Sequence, residues 1–252
     1  MRLNGKVAIV TGSARGIGQQ LIIRLAREGA KVVAADVLDC GETAAKVRAV
    51  GGQITSIGTD VSKSDSVRNM AEKAMDAYGR IDVLVNNAAL LVKMKPFDQI
   101  PEEEWDRLFS INMKGVWLCS KAVYPYMKKQ GQGSIINISS GTILEGVPGI
   151  AHYISAKAGV WAFTRSLARE VGPSGIRANS ITVGFTPTES CKSTFPTQAM
   201  LEMALKHNIE SRVIHRDMTP QDLEGVITFL ACEDSAFISG QNINVDGGRI
   251  HY

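Results

Sequence analysis

The stretch Val7-Ala8-Ile9-Val10-Thr11-Gly12-Ser13-Ala14-Arg15-Gly16-Ile17-Gly18 decides the fold. A short apolar run, the pattern of a buried strand, leads into three glycines, and a helical pattern begins at once from Ile17. Each glycine has a task that a larger residue would obstruct. Gly12 permits a sharp exit from the strand, Gly16 lets the backbone approach a pyrophosphate, and Gly18 lets helix and strand pack closely. The helix N-terminus presents free N–H groups and partial positive charge to the same place. Gly12, Arg15, Gly16, Ile17 and Gly18 are therefore candidate contacts for a pyrophosphate.

Working outward, short Val- and Ile-rich runs recur at residues 32–35, 54–57, 83–85, 135–138 and 176–183, with a last one at 242–245. They are continuous rather than alternating, which means burial on both faces and a parallel sheet covered by helices above and below. Helical patterns fill the gaps at 17–28, 41–50, 64–78, 102–129, 153–171 and 220–231. No linker, repeat or composition shift divides the chain. The expectation is an α/β doubly wound parallel sheet (a Rossmann fold) forming one domain over residues 1–252. Residues 185–219 break the rhythm and are too long for a plain connection, so they are expected to form a substrate-binding insertion.

Composition excludes several classes. With 252 residues, 44% hydrophobic and 21% charged, the chain has ordinary globular character rather than that of a disordered segment. Its net charge of +3 is too small and scattered for a nucleic-acid footprint. No apolar run is long enough for a membrane span, and residues 1–6 lead straight into the first strand without a signal-peptide pattern. Cys40, Cys119, Cys191 and Cys232 lie far apart, which suggests neither a disulfide framework nor a metal site. A soluble cytoplasmic protein is expected.

Asp36 ends the second strand, 18 residues after Gly18. A carboxylate there accepts the hydroxyl hydrogens of an adenosine ribose and repels a 2′-phosphate, which favours NAD. Arg15 pulls the other way, toward a 2′-phosphate, and the lesser alternative for Asp36 is a cap on the loop that follows it. The charge argument puts Asp36 first. Tyr153 and Lys157 stand four residues apart and so share one helical face. Ser140 follows a strand at the carboxyl edge of the sheet, where doubly wound folds bind ligands.

Taken in order, these motifs resemble the short-chain dehydrogenase/reductase family, in its single-domain NAD(P)-dependent branch. The likeness runs through Thr11-Gly12, Gly16 and Gly18, Asp60-Val61, Asn86-Asn87-Ala88, Asn112, Ser140, Tyr153 and Lys157, and Val245-Asp246-Gly247-Gly248. It implies that Tyr153 is the general acid/base, its phenol made more acidic by Lys157 and the positively charged nicotinamide, and that Lys157 also bonds the nicotinamide ribose. It implies further that Ser140 bonds the substrate oxygen and that Asn112 holds a water linking Lys157 to solvent. Asp60 and Val61 would meet the adenine, Asn87 the adenosine, and Thr186 and Thr188 the nicotinamide carboxamide. The residues alone leave Asn112 open as a helix-bending polar group and Asp60 as a cap. Two departures stand out: Ala89 replaces the usual Gly, and Val183 the usual Pro, which would loosen the turn into the insertion.

Expected pocket walls are Leu90-Leu91-Val92, Thr142-Ile143-Leu144, Phe185, Phe195 and residues 200–205, mostly apolar. Met200 and Met203 fit either an adaptable wall or plain packing. In the insertion Lys192, Lys206, Arg212 and Arg216 match Glu189, Glu202, Glu210 and Asp217, leaving no basic patch for a carrier protein. Glu145 and His152 are expected at the rim. These features point to NAD-dependent interconversion of a secondary alcohol and its ketone on an apolar cyclic or aryl skeleton. The alternatives are a 3-oxoacyl-carrier-protein reductase, a sugar or polyol dehydrogenase, and a dinucleotide sensor without turnover. Trp105, Trp117, Trp161 and Phe163 suggest helix pairing across a two-fold. The resemblance implies a homotetramer, with residues 248–252 near a neighbour's pocket.

Overall fold

The computed structural model describes residues 1–251 and holds seven strands in one parallel sheet, in the order β3-β2-β1-β4-β5-β6-β7. In chain order the elements are β1 (Val7–Thr11), α1 (Gly16–Arg27), β2 (Lys31–Asp36), α2 (Gly41–Ala49), β3 (Ile54–Gly58), α3 (Ser64–Tyr78) and β4 (Val83–Asn86). Then follow α4 (Glu102–Phe109), α5 (Gly115–Gln130), β5 (Gly133–Ser140), α6 (Thr142–Glu145), α7 (Ala151–Val171) and β6 (Ile176–Val183). The chain closes with α8 (Glu189–Lys192), α9 (Gln198–Glu210), α10 (Glu224–Ala231) and β7 (Asn242–Val245).

The continuous apolar strands have a simple cause. Successive side chains point to opposite faces of a strand, and here both faces are covered. Ala8, Val10, Val32, Ala34, Val83, Val85, Ile136 and Ile138 fall into one core cluster, with α1 and α10 packed over it. Ile9, Val33, Ala35, Leu84 and Ile135 fall into the other, beneath α3, α5 and α7. After β3 the chain crosses back to pair β4 with β1, so the strand order reverses between those two. A crevice opens at the carboxyl ends of the strands at such a reversal.

Three elements depart from the expected boundaries. The single helix expected over 102–129 is broken by a π-turn, Ser110–Lys114, which contains Asn112. The insertion is not bare loop: it carries α8 and the thirteen-residue α9, whose first turn is capped by Thr197 Oγ1 accepting from Met200 N at 3.2 Å. The helix expected over 220–231 opens with a 3₁₀ turn, Pro220–Leu223, before α10. No described helix is long and apolar enough to cross a membrane. Among the described residues no group of three or more His, Cys, Asp or Glu side chains could hold a metal ion.

Candidate active site

A cleft of about 730 Å³ lies over the carboxyl ends of the strands and is lined from Gly12 and Asp36 at one end to Tyr153, Phe185 and Arg249 at the other. Its floor at the first end is the glycine turn. Gly12 and Gly16 sit at φ +65° and +62°, backbone that side chains rarely adopt. A Cβ on Gly18 would stand 2.1 Å from the Gly12 carbonyl oxygen, so α1 can begin here only without one. The turn is tied to the next strand by Asn87, whose Nδ2 donates to the carbonyls of Thr11 and Gly12 at 3.0 and 2.9 Å. Thr11 Oγ1 accepts from the backbone N–H groups of Asn87 and Ala88, both at 3.1 Å. A tight backbone cradle with no side chain in the way fits a pyrophosphate.

Asp36 closes β2 beside this cradle. One carboxylate oxygen accepts from Ala14 N at 2.9 Å and the other from Leu38 N at 3.0 Å. Those bonds fix the carboxylate at the end of the strand and leave further lone pairs facing the cleft. Asp60 caps its own turn, accepting from Ser62 N and Oγ at 2.9 and 2.6 Å, and it also lines the cleft with Val61. Sequence reasoning missed Val37 and Leu38, which flank the nucleotide end and are 70% and 49% exposed. Their signal was available, since two apolar residues directly after a strand-terminal acid have no core to enter.

At the other end Ser140 finishes β5, paired in register with Val183 of β6. Its Oγ lies 2.9 Å from Thr142 Oγ1 and accepts from Thr142 N at 3.3 Å. Tyr153 and Lys157 project from the first turns of α7, with the Lys157 Nζ 6.0 Å from the centre of the Tyr153 ring. Burial pushes the phenol up to about 12, and the hydrogen bond with Ser140 pulls in the opposite direction. Burial also pushes the Lys157 ammonium down to about 8. Its Nζ donates to the Ile138 carbonyl at 2.8 Å, which holds the cation against the floor of the cleft and leaves two N–H groups to use. In the protein alone desolvation governs the phenol, and the expected acidifying influence of Lys157 does not show.

Asn112 is brought near this group but does not line the cleft. It is fully buried, and its amide clamps the Leu90 backbone, accepting from Leu90 N at 2.7 Å and donating to Leu90 O at 2.9 Å. Thr186 and Thr188 both line the cleft. Thr186 Oγ1 donates to the Gly184 carbonyl at 3.0 Å, and Thr188 Oγ1 caps α8 by accepting from Cys191 N at 3.3 Å.

Several wall expectations need correction. His152 is not a rim group: it is fully buried, its Nε2 3.0 Å from Glu104 Oε1, because α4 packs over the start of α7. Leu90, Leu91, Val92, Thr142, Phe185 and Phe195 do line the cleft; Ile143, Leu144, Met200 and Met203 do not. Met203 faces outward and is 72% exposed, since α9 turns its Leu201 side inward instead. Val183 does not loosen the turn, because Gly184 N donates to Val245 O at 2.9 Å and holds it to β7. In the insertion, Arg216 pairs with Asp222 at 2.5 Å rather than with Asp217. Arg212 is buried and donates to the Phe185 carbonyl at 2.7 Å. The tail folds over its own chain's cleft, where Arg249 becomes part of the lining; Tyr252 lies outside the described residues.

A family model described as enoyl-(acyl carrier protein) reductase matches residues 12–249. The chain is 37% identical over 257 residues to a 3-oxoacyl-[acyl-carrier-protein] reductase of Thermotoga maritima, a match covering 99% of this chain and 100% of that protein. It is 38% identical to a short chain dehydrogenase/reductase of Aspergillus oryzae, over 98% of this chain and 95% of that one. Among solved structures, levodione reductase superposes with a TM-score of 0.93 at 29% identity, covering 98% of both chains. The NAD+-bound xylitol dehydrogenase does so with a TM-score of 0.91 at 29% identity, covering 98% of this chain and all of that one. Fold, motif order and matched span agree over nearly the whole chain, which belongs to the short-chain dehydrogenase/reductase family of NAD(P)-using oxidoreductases.

Proposed function

We propose that this chain is an NAD-dependent dehydrogenase/reductase that interconverts a secondary alcohol and its ketone on an apolar cyclic or aryl skeleton. The observation that carries the proposal is one cleft with Ser140, Tyr153 and Lys157 at one end and a braced Asp36 at the other. The glycine cradle fits a dinucleotide, because Gly12 and Gly16 take left-handed backbone and Gly18 lets α1 begin hard against the turn, leaving backbone rather than side chains at its floor. When bound there, the nicotinamide supplies the acceptor or donor of hydride.

The chain's own residues do the rest. Ser140, oriented by Thr142, donates a hydrogen bond to the substrate oxygen and fixes which face of the carbon is presented. Tyr153 takes the hydroxyl proton during oxidation and returns one during reduction. A phenol near 12 is a poor base at neutral pH, so turnover needs a positive charge close to it. Lys157, held by the Ile138 carbonyl, is placed to supply that charge and to bond the nicotinamide ribose with its remaining N–H groups. Asn112 takes the part of a brace: with both ends of its amide on Leu90, it fixes a wall of the cleft. Thr186 and Thr188 would bear on the carboxamide, Asp60, Val61 and Asn87 on the adenosine.

The Thermotoga relative favours a second reading, a 3-oxoacyl-carrier-protein reductase. A carrier protein is acidic at its docking face and wants free cations near the cleft mouth. In the insertion Lys192, Lys206 and Arg216 are paired with Glu189, Glu210 and Asp222, while Arg15 and Arg107 line the cleft with no ion pair among the described residues. Initial rates with NAD and NADP against cyclic, aryl, acyl and sugar alcohols test the proposal. NAD-dependent oxidation of the cyclic or aryl alcohols is expected; a clear NADPH preference with acyl thioesters would install the second reading. The proposal includes a cytoplasmic homotetramer, supported by Trp105 and Trp117, which stay 37% and 42% exposed on α4 and α5. Light scattering on the purified protein would return a monomer mass if that part is wrong.

A further inference from the structure

The substrate end of the cleft is not uniformly apolar. Arg249, from the tail, pairs with Glu145 at the end of α6, with Nη2 2.6 Å from Oε2. The other terminal nitrogen of Arg249 donates to the side-chain oxygen of Asn208 on α9. All three residues line the cleft, and the two ionised side chains are only 16% and 21% exposed. Three separate parts of the chain therefore converge on one polar spot among Leu90, Val92, Phe185 and Phe195.

The spot is built rather than incidental. Buried Asp246 accepts from Gly248 N, Arg249 N and Ile250 N at 2.9, 3.1 and 3.0 Å, which anchors the tail and aims Arg249. Glu145 follows Thr142 by three residues, so both project from one side of the single turn α6. Thr142 touches the Ser140 hydroxyl, so Glu145 shares a short element with the residue that orients Ser140.

Charge decides what the spot can accept. Arg249 and Glu145 already neutralise each other, and Asp246, His207 and Arg212 bear on the same carboxylate from β7's end, α9 and the segment after it. Burial holds the Glu145 carboxyl above its ordinary range, a sign that a second anion here would be costly. Glu145 Oε1 has no partner among the described residues, and Arg249 keeps N–H groups beyond the two in use. An acceptor and a donor lie side by side. A hydroxyl can use both, a ketone oxygen the donor alone, and a carboxylate would meet Glu145.

We propose that the Glu145–Arg249 pair is a specificity element that selects a neutral substrate carrying a second oxygen, hydroxyl or carbonyl, remote from the reacting carbon. The inference rests on the alcohol/ketone reading above and names the substrate class within it. On a six-membered ring the position farthest from the reacting carbon is the 4-position. The test compares cyclohexane-1,4-diol, cyclohexanol and 4-hydroxycyclohexane-1-carboxylate, with NAD, in the unaltered enzyme and in Glu145→Leu and Glu145→Gln.

In the unaltered enzyme kcat/KM for the diol should exceed that for cyclohexanol by ~10-fold or more, as expected of a hydrogen bond to a charged partner, with the carboxylate poorest. Glu145→Leu should bring the diol-to-cyclohexanol ratio toward one. Glu145→Gln frees Arg249 and should raise the carboxylate relative to the diol. A ratio near one in the unaltered enzyme, with cyclohexanol turned over, sinks this inference and leaves the alcohol/ketone reading standing. A carboxylate preferred from the start also sinks it. If none of the three alcohols reduces NAD, the parent reading and this inference fall together. Because the first comparison uses the unaltered protein, poor folding of a variant cannot shield the idea.

Discussion

The two ends of the cleft are built from different materials. The nucleotide end is made of backbone: glycine N–H and C=O groups, strand termini, and Asn87 and Thr11 bonding main chain to main chain. The substrate end is made of side chains on short pieces, with α6, α8, α9 and the tail meeting through an ion pair and an aromatic edge contact between Phe185 and Phe195. At the first end, a single added methyl collides with a carbonyl. At the second, α9 carries Met200 and Met203 outward with no partner in the core. A ligand common to many enzymes can be met by backbone, whose hydrogen-bonding groups every residue type but proline carries. A ligand particular to one enzyme is met by side chains, which can change without disturbing the sheet.

The contrast can be broken or sharpened by substitution, and the largest effect belongs to the reacting phenol where the ends meet. Tyr153→Phe should lower kcat by ~10²–10⁴-fold while leaving NAD affinity within a few-fold, as measured by steady-state rates and by fluorescence titration. Retained turnover would remove Tyr153 from the acid/base role. Next is the backbone end. Gly18→Ala places a Cβ 2.1 Å from the Gly12 oxygen and should cost ~1–3 kcal/mol, visible in Tm, and should loosen NAD binding with it. An unchanged Tm would show that the turn is less rigid than its contacts indicate.

Asp36→Ala should cut the preference for NAD over NADP by about 10-fold in kcat/KM, since it removes both an acceptor for the ribose and a repulsive charge. If the ratio does not move, Arg15 rather than Asp36 sets the choice. The smallest effect is expected on α9. Met203→Ser replaces a side chain that is 72% exposed and should change stability by less than ~0.5 kcal/mol in a denaturant melt. A large loss there would mean that α9 is covered in solution and that the contrast between the two ends is overstated.

How far the sequence could be read follows the same division. The sheet was legible because burial on both faces leaves a signature in consecutive residues, as in Val32 to Ala35 split between two cores. Gly12, Gly16, Gly18, Asp36, Ser140, Tyr153 and Lys157 were legible because strand ends and helical spacing fix their positions. Asn112 was only half legible. Its place in the chain was readable, but the π-turn that swings its amide onto Leu90 depends on a contact 22 residues away. His152 misled for a similar reason, since its burial is decided by Glu104 and Trp105 on another helix. Arg249 gave no signal at all. A cation three residues from the last position looks like solvated tail until the Asp246 anchor turns it inward.

Thr188 has a consequence for timing. A Cβ built on Gly16 would lie 3.6 Å from the Thr188 methyl, so the segment leading into α8 stands directly above the phosphate cradle. A dinucleotide must pass beneath that segment to reach the cradle. Ordered binding, with the nucleotide first in and last out, is therefore the expected pattern, and product-inhibition patterns showing random order would contradict it.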